Sequence, residues 1–542
     1  MQITFIGHAG LYVETRHGSI LCDPWFNPAY FASWIPFPDN SGIDPATIGN
    51  PTYLYLSHVH HDHFDPVWLR DHVSKETTVI LPDHPLPLVE RYLRELGFTQ
   101  FIQTQNAVPL DLDGLRVMTT SLVSPADGPL GDSGLSIDDG EVRIFDQNDS
   151  RPVDFDALTA FGPYDAHFLQ FSGAIWYPMV YRFPEAEKRA LGRQKRVTQM
   201  ARAVRYARQI GAPHIVPMAG PPCFLDDDLF HFNDFDRDPV NIFPDQSVFL
   251  DFLQEQGYAP ERGHLMIPGS VMTLTPESCT VQHELPDDEV SAIFTDKRAY
   301  LEQMRERRRP EIEAEKATWT RGEIEILPVL KEWFEPLIQQ ADRTAEGINT
   351  RVLLNFGEAQ QSVVLDFRRR RVRAWHGETC EYRLFLDPAL VETCIKRGDE
   401  DWVNQIFLSC RFAAERDGPY NEYVYSFFKC LTPERIQYAE GFYSEQQPEQ
   451  EMWECGGYRI QRRCPHLKAD LTRFGQVEDG ILTCTLHGWQ FDIATGKCLT
   501  SDDKHLRTEP IAPNGATSNG HGENCPAAVA TLTGVGGSVR GD

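Results

Sequence analysis

Positive charge is what this 542-residue sequence has least of: 51 Lys and Arg stand against 79 Asp and Glu, for a formal net charge of −28. Such an acidic surface argues against nucleic acid and anionic membranes as general partners, because both are polyanions recruited by counter-charge. Long apolar runs are also missing. None approaches the roughly 20 residues that span a bilayer, and Met1 leads straight into the strand-like "QITFIG" with no basic leader and apolar stretch. Cysteine is sparse, twelve residues at uneven spacing, which does not read as a disulfide framework. No internal repeat is visible. These absences predict a cytoplasmic protein. The 41% hydrophobic and 24% charged content is ordinary for globular chains, and the length calls for several cores rather than one.

What is present changes character along the chain. Residues 1–280 alternate β-branched and aromatic runs ("ITFIG", "LYVET", "SILCDPW", "TYLYLSH", "TTVILP") with turn residues. Helices enter later: in "KRVTQMARAVRYARQIGAP", Val197, Met200, Ala201, Val204 and Ala207 recur at helical spacing before Gly211 and Pro213 supply a stop. This predicts an α/β layered domain with ligand-type residues just past strand ends. Residues 281–445 open on a charged helical stretch, "DKRAYLEQMRERRRPEIEAEKATW", read as a linker with a solvated face. Strands follow in "RVLLNFGEAQQSVVLDFRRRRVRAWHGE", where Arg368–Arg371 reads as a solvated hairpin turn in preference to a dock for an acidic partner. Helix returns through "DPALVETCIKRGDEDWVNQIFLSCRFAAER". Beyond the linker "YSEQQPEQE", a compact β module occupies 446–512, and 513–542, rich in Gly, Ala and Thr without apolar period, is expected to be disordered.

The densest chemistry lies in "LSHVHHDHFD", residues 56–65. His58, His60, Asp62 and His63 form an H-x-H-x-D-H set whose imidazole and carboxylate donors suit Zn or Fe. Their spacing requires a tight loop beyond a strand rather than a helix. "FIGHAG", "ILCDPW" and "LSHVHHDH" together resemble the metallo-β-lactamase fold superfamily, and its lactonase-like branch in particular, over most of residues 1–240. The resemblance implies an αββα sandwich with metals at one edge, metal roles for His58, His60, Asp62 and His63, and Asp23 orienting a ligand from behind it. The chain also departs from the hydrolases. "SLVSPADGPLGDSGL" holds no His where they carry one, and Met218–Ala219–Gly220 stands where their last His falls. Asp149 in "RIFDQNDSRP" is the candidate bridging carboxylate. Two readings stay open. His58, His60 and Asp149 would give the two-histidine, one-carboxylate arrangement of non-haem Fe(II) oxygenases; alternatively Asp127 or Asp132 replaces the missing imidazole and two metals bind, with Zn as the alternative to Fe. His8 in "GHAG" reads as structural or pocket-edge. His84, His167, His214 and His231 read as isolated, non-ligating residues, with His167 the best exception because "DAHFLQFSGAIWYPMVY" is aromatic enough to line a substrate pocket.

A second cluster sits far downstream. Cys464-Pro-His466 and Cys484-x-x-His487 offer two thiolates and two imidazoles at turns, the ligand set of a Rieske 2Fe-2S centre; a structural Cys2His2 zinc site uses the same donors. The surrounding "CPH…AD" and "C…LHGWQFD…TGKC" resemble Rieske ferredoxins and the Rieske domains of oxygenases. Leu467, Lys468 and Leu486 stand where respiratory Rieske proteins carry extra cysteines, which implies an oxygenase-like cluster. Zinc hydrolysis needs no electrons, so a one-electron carrier beside an open metal site points to O2 activation. The combination resembles the CMP-N-acetylneuraminate hydroxylase-like oxygenases, although there the Rieske module leads whereas here it trails, and the intervening region resembles a sterol-carrier-type α+β domain. The implied activity is a Rieske-dependent non-haem iron monooxygenase for a small polar metabolite, using O2 and electrons from a reductase, ferredoxin or cytochrome. A homo-oligomer is expected if one chain does not bring its two sites together. The competing readings are a lactonase- or phosphodiesterase-type metallo-hydrolase with a redox-sensing Rieske module, and an electron-transfer protein whose first site has decayed.

Overall fold

The computed structural model describes residues 1–125, 127–233, 235, 240–444, 451–466, 469–486, 488–501 and 504–511. The expected disordered tail, the ligand candidate His487 and the side chain of Asp127 lie outside the described residues. No helix among those residues is long and apolar enough to cross a membrane.

Period-two patterning builds the first half. In Gln2–Gly7, Ile3 and Phe5 point one way and Ile6 the other. That strand lies inside an eight-stranded sheet ordered Cys279–Gln282, Val271–Leu274, Gln2–Gly7, Gly10–Thr15, Gly18–Cys22, Tyr53–Tyr55, Thr78–Leu81, Phe101–Gln103. A six-stranded sheet ordered His214–Met218, Ala166–Gln170, Arg143–Asn148, Asp127–Asp138, Leu115–Ser124, Leu110–Leu112 faces it. Between them Ile3, Phe5, Val13 and Ile20 meet Val117, Leu135, Ile144 and Phe168. On the outer face of the larger sheet, Leu54 and Val79 pack on Trp68, Leu69 and Leu93 of helices Pro66–His72 and Leu88–Glu95. Helices Glu185–Ile210 and Gln246–Glu255 cover the smaller sheet through Met200, Val204 and Phe249 against Leu169 and Phe171. The layers are therefore helix, sheet, sheet, helix, the αββα sandwich of the metallo-β-lactamase fold. The long helix stops at Gly211, in the left-handed region at φ +73°.

The charged helix Lys297–Ala317 is more than a solvated linker. Leu301, Met304 and Ile312 are buried, and the 4%-exposed Arg308 donates to the Phe26 carbonyl at 2.7 Å and pairs with Asp39. Next comes a five-stranded sheet ordered Arg371–Ala374, Val363–Asp366, Arg351–Asn355, Tyr382–Leu386, Phe412–Arg416. Helices Ile326–Gln340, Pro388–Arg397, Glu422–Lys429 and Pro433–Ser444 accompany it, an α+β unit. Phe412–Arg416 corrects the helical expectation for "FAAER": it pairs antiparallel with Tyr382–Leu386, and Arg383 binds Glu415 across the pair at 2.8 Å. Arg368–Arg371 does turn between two strands, with Arg368 on Glu381 and Arg370 on Asp342. The last module is two small three-stranded sheets. It leans on the sandwich through Phe474 against Phe155, at 5.1 Å between ring centroids, and through Arg205, which donates to the Thr485 carbonyl at 2.7 Å.

Candidate metal centres

The carboxyl ends of several strands converge at one edge of the sandwich. Asp23 follows Gly18–Cys22, the loop 56–65 follows Tyr53–Tyr55, and Asp149 follows Arg143–Asn148. His8 occupies the turn between the first two strands in the left-handed region, φ +52°, and its carbonyl accepts the Ala219 N–H at 2.8 Å. Two groups of ligand-type side chains result: His8 with Asp62 and His63, and His58 with His60 and Asp149. Asp149 also joins them. Its Oδ1 lies 3.6 Å from His63 Nε2 and 3.9 Å from His58 Nδ1, while Asp132 approaches His58 at 3.3 Å.

Partners behind these side chains fix their form. Asp23 Oδ2 accepts from His63 Nδ1 at 2.8 Å and from Ser57 Oγ at 2.6 Å, and Asp23 Oδ1 accepts the Ser57 N–H at 2.8 Å. A proton held on Nδ1 turns the Nε2 lone pair inward, the usual arrangement behind a metal-bound imidazole. Tyr30 and His8 hold the two oxygens of Asp62, His8 at 3.0 Å. Burial alone would raise the Asp62 carboxyl, but His63 and His8 hold it well below the usual carboxylate range. Burial and the neighbouring His58 push His60 well below the usual imidazole range. Burial would lower His63, but Asp149, Asp62 and Asp23 hold it well above the usual imidazole range, so a metal at Nε2 would displace a proton there. His63 Nε2 and Asp149 Oδ1 are buried with no hydrogen-bond partner among the described residues. This donor set fits non-haem iron or zinc.

The middle domain closes over this edge. A five-residue π-helical turn, Val403–Phe407, brings Asn404 Nδ2 to the Val59 carbonyl at 3.2 Å and Gln405 to His61 at 3.5 Å. Arg411 donates Nε–H to the Phe31 carbonyl at 3.0 Å and pairs with Asp226 at 2.7 Å. It thereby grips the segment Tyr30–Phe31–Ala32, three consecutive residues in the left-handed region at φ +51°, +57° and +53°.

Every residue of the first motif reaches this edge: His58, His60, Asp62, His63 and Asp149, with Asp23 behind them. His8, read from sequence as structural or pocket-edge, stands in a ligand-type group at that edge, because the turn after the first strand opens onto it. The second motif lies in the last module. Cys464 and Cys484 are buried, and His466 stacks on Trp489 at 4.1 Å. His167 does not line a pocket. It is buried in a strand, bonded to Gln147 at 2.8 Å and driven down to about 3 by burial. The aromatic run after it meets the middle domain, Trp176 on Phe407 at 5.3 Å and Tyr181 on Tyr425 through their hydroxyls at 2.6 Å.

Two family models match the chain: the Rieske 2Fe-2S domain over 456–509 and the Rv3818-like, SCP2-like domain over 326–445. A Mycobacterium tuberculosis protein named as a Rieske 2Fe-2S iron-sulfur protein, Rv3818, is 50% identical over 517 residues, which is 94% of this chain and 99% of that protein. The chain belongs to this Rieske iron–sulfur family. Solved structures similar to about half of it include Igni18, a metallo hydrolase of Ignicoccus hospitalis, at 17% identity and a TM-score of 0.33, covering 52% of this chain and 99% of that one. CmlA, a diiron beta-hydroxylase of Streptomyces venezuelae, aligns at 17% identity and a TM-score of 0.34, covering 51% of this chain and 54% of that one. As a family member, the chain has a carboxy-terminal domain of the type that carries a 2Fe-2S cluster and exchanges electrons with redox partners.

Proposed function

We propose that this chain is a Rieske-dependent non-haem iron monooxygenase acting on a small polar metabolite. Cys464, His466, Cys484 and His487 would hold the 2Fe-2S cluster; His8, His58, His60, Asp62, His63 and Asp149 would hold iron, as two adjoining groups. Bound there, the cluster supplies single electrons and the iron supplies O2 activation.

One helix carries this reading. Glu422–Lys429 has eight residues, a span of about 12 Å, and joins the second site to the sandwich. At its amino end the Glu422 carboxylate lies 3.8 Å from His466 Nε2 and is fixed by Lys504 at 2.7 Å. Midway, Ser426 Oγ donates to the Pro125 carbonyl at 3.2 Å, in the segment where hydrolases carry their additional His. At the carboxy end, Lys429 adds to the burial and His58 effects that depress His60. A hydrolase has no use for a cluster ligand held this near. Asp23 sets the His63 tautomer, Tyr30 and His8 orient Asp62, and Asn404 and Gln405 cover the loop against water.

Replacement of Cys464 by Ser tests the proposal. O2 consumption driven by NAD(P)H and a reductase is expected to stop while metal analysis still finds iron in the first site. Full turnover of C464S with physiological donors would sink the reading. A metallo-hydrolase is the second reading, favoured by the two ligand groups sharing Asp149. It requires zinc-loaded protein to hydrolyse lactones or phosphodiesters without air.

A further inference from the structure

A third group of ligand-type side chains lies away from both centres. His214 opens the strand His214–Met218, whose other end reaches the first centre through Ala219 and His8. His264 follows Gly263 and donates its backbone N–H to the Ile215 carbonyl at 2.9 Å. Cys279 opens the strand Cys279–Gln282. His214 Nδ1 lies 2.9 Å from His264 Nε2, Cys279 Sγ lies 3.8 Å from the same nitrogen, and all three donor atoms fall within 4.8 Å of one another.

One nitrogen serves two partners here. Nε2 of His264 carries either one hydrogen or one lone pair, so without a cation it satisfies His214 or Cys279 well, not both. Zn–N lengths of about 2.0–2.1 Å and Zn–S of about 2.3 Å give tetrahedral edges of about 3.3 Å between nitrogens and about 3.5 Å from nitrogen to sulfur. The observed 2.9 and 3.8 Å bracket those edges within a few tenths of an ångström.

We infer that His214, His264 and Cys279 form a zinc site, with solvent at the fourth position because all three residues are only partly buried. Cys279–Gln282 is the terminal strand of the eight-stranded sheet and His214–Met218 the terminal strand of the six-stranded one. Zinc there staples the two sheets at their open edge. Binding replaces the Cys279 thiol proton.

Cobalt reports the site directly in the full-length protein with its iron–sulfur cluster assembled and its first centre already loaded with iron. The first centre offers only nitrogen and oxygen donors, so a thiolate-to-cobalt charge-transfer band is assigned to Cys279. The band is expected to saturate at one equivalent, to bleach on zinc addition, and to vanish in C279S and in H264A. Zinc is expected to raise the melting temperature of the parent protein and leave that of C279S unmoved. Cluster absorbance and far-ultraviolet circular dichroism monitor whether the variants fold. No band in the parent protein, or a band that survives in C279S, would overturn the assignment.

Discussion

Asp23 shows how one buried carboxylate governs a centre it does not enter. It binds His63 and Ser57 from behind, so in D23N the amide no longer favours a proton on Nδ1. The expected result is iron affinity weakened about 10- to 100-fold, read as faster loss to a chelator, with the Rieske EPR signal unchanged. His8 was legible only in part, as a structural or pocket-edge residue. The H-x-H-x-D-H spacing is local and so was legible in the sequence, as was Asp149 after its apolar strand. A single histidine in a turn carries no spacing signal. Its placement against Asp62 depends on the first two strands pairing and on the Ala219 N–H taking its carbonyl, both of which are tertiary facts.

Elements were legible where patterning is strong. The period-two strands and the long helix ending at Gly211 follow from apolar spacing and a glycine stop. Phe412–Arg416 did not, because an alanine-containing five-residue run has weak intrinsic preference and a waiting strand edge decides it. The helix Pro388–Arg397 makes a testable case. Just past its glycine cap, the Asp399 carboxyl is pushed up to about 6, chiefly by burial. The folded protein then binds the proton more tightly than the unfolded chain, so this group's contribution is complete below about pH 4 and is lost as pH rises towards 6. In D399N nothing titrates there. Its stability relative to the parent is expected to grow between pH 4 and 6 and stay level above, by up to about 3 kcal/mol, measured by urea denaturation across that window. A gap independent of pH would contradict it.

At the scale of the whole molecule the three modules meet around one short helix, and the sterol-carrier-like domain touches both centres. Under the proposed function, one chain is expected to bring its two sites together. Oxidation of a pre-reduced cluster by ferric iron in the first site is expected to be first-order and unchanged on dilution in stopped-flow absorbance; a rate that falls with protein concentration would place the donor on a neighbouring chain. Sequence could separate the modules but not arrange them, since the contacts of Glu422, Asn404 and Arg411 are long-range and leave no local pattern. The left-handed run at Tyr30–Ala32 has a last consequence. Its geometry is one that residues with side chains resist, and Arg411 of the following domain holds it. A fragment ending with the sandwich would keep every strand yet forfeit that restraint, freeing the tyrosine from Asp62. Gene truncation or module shuffling would then leave the first centre poorly assembled, which ties the inheritance of the first half to that of the second.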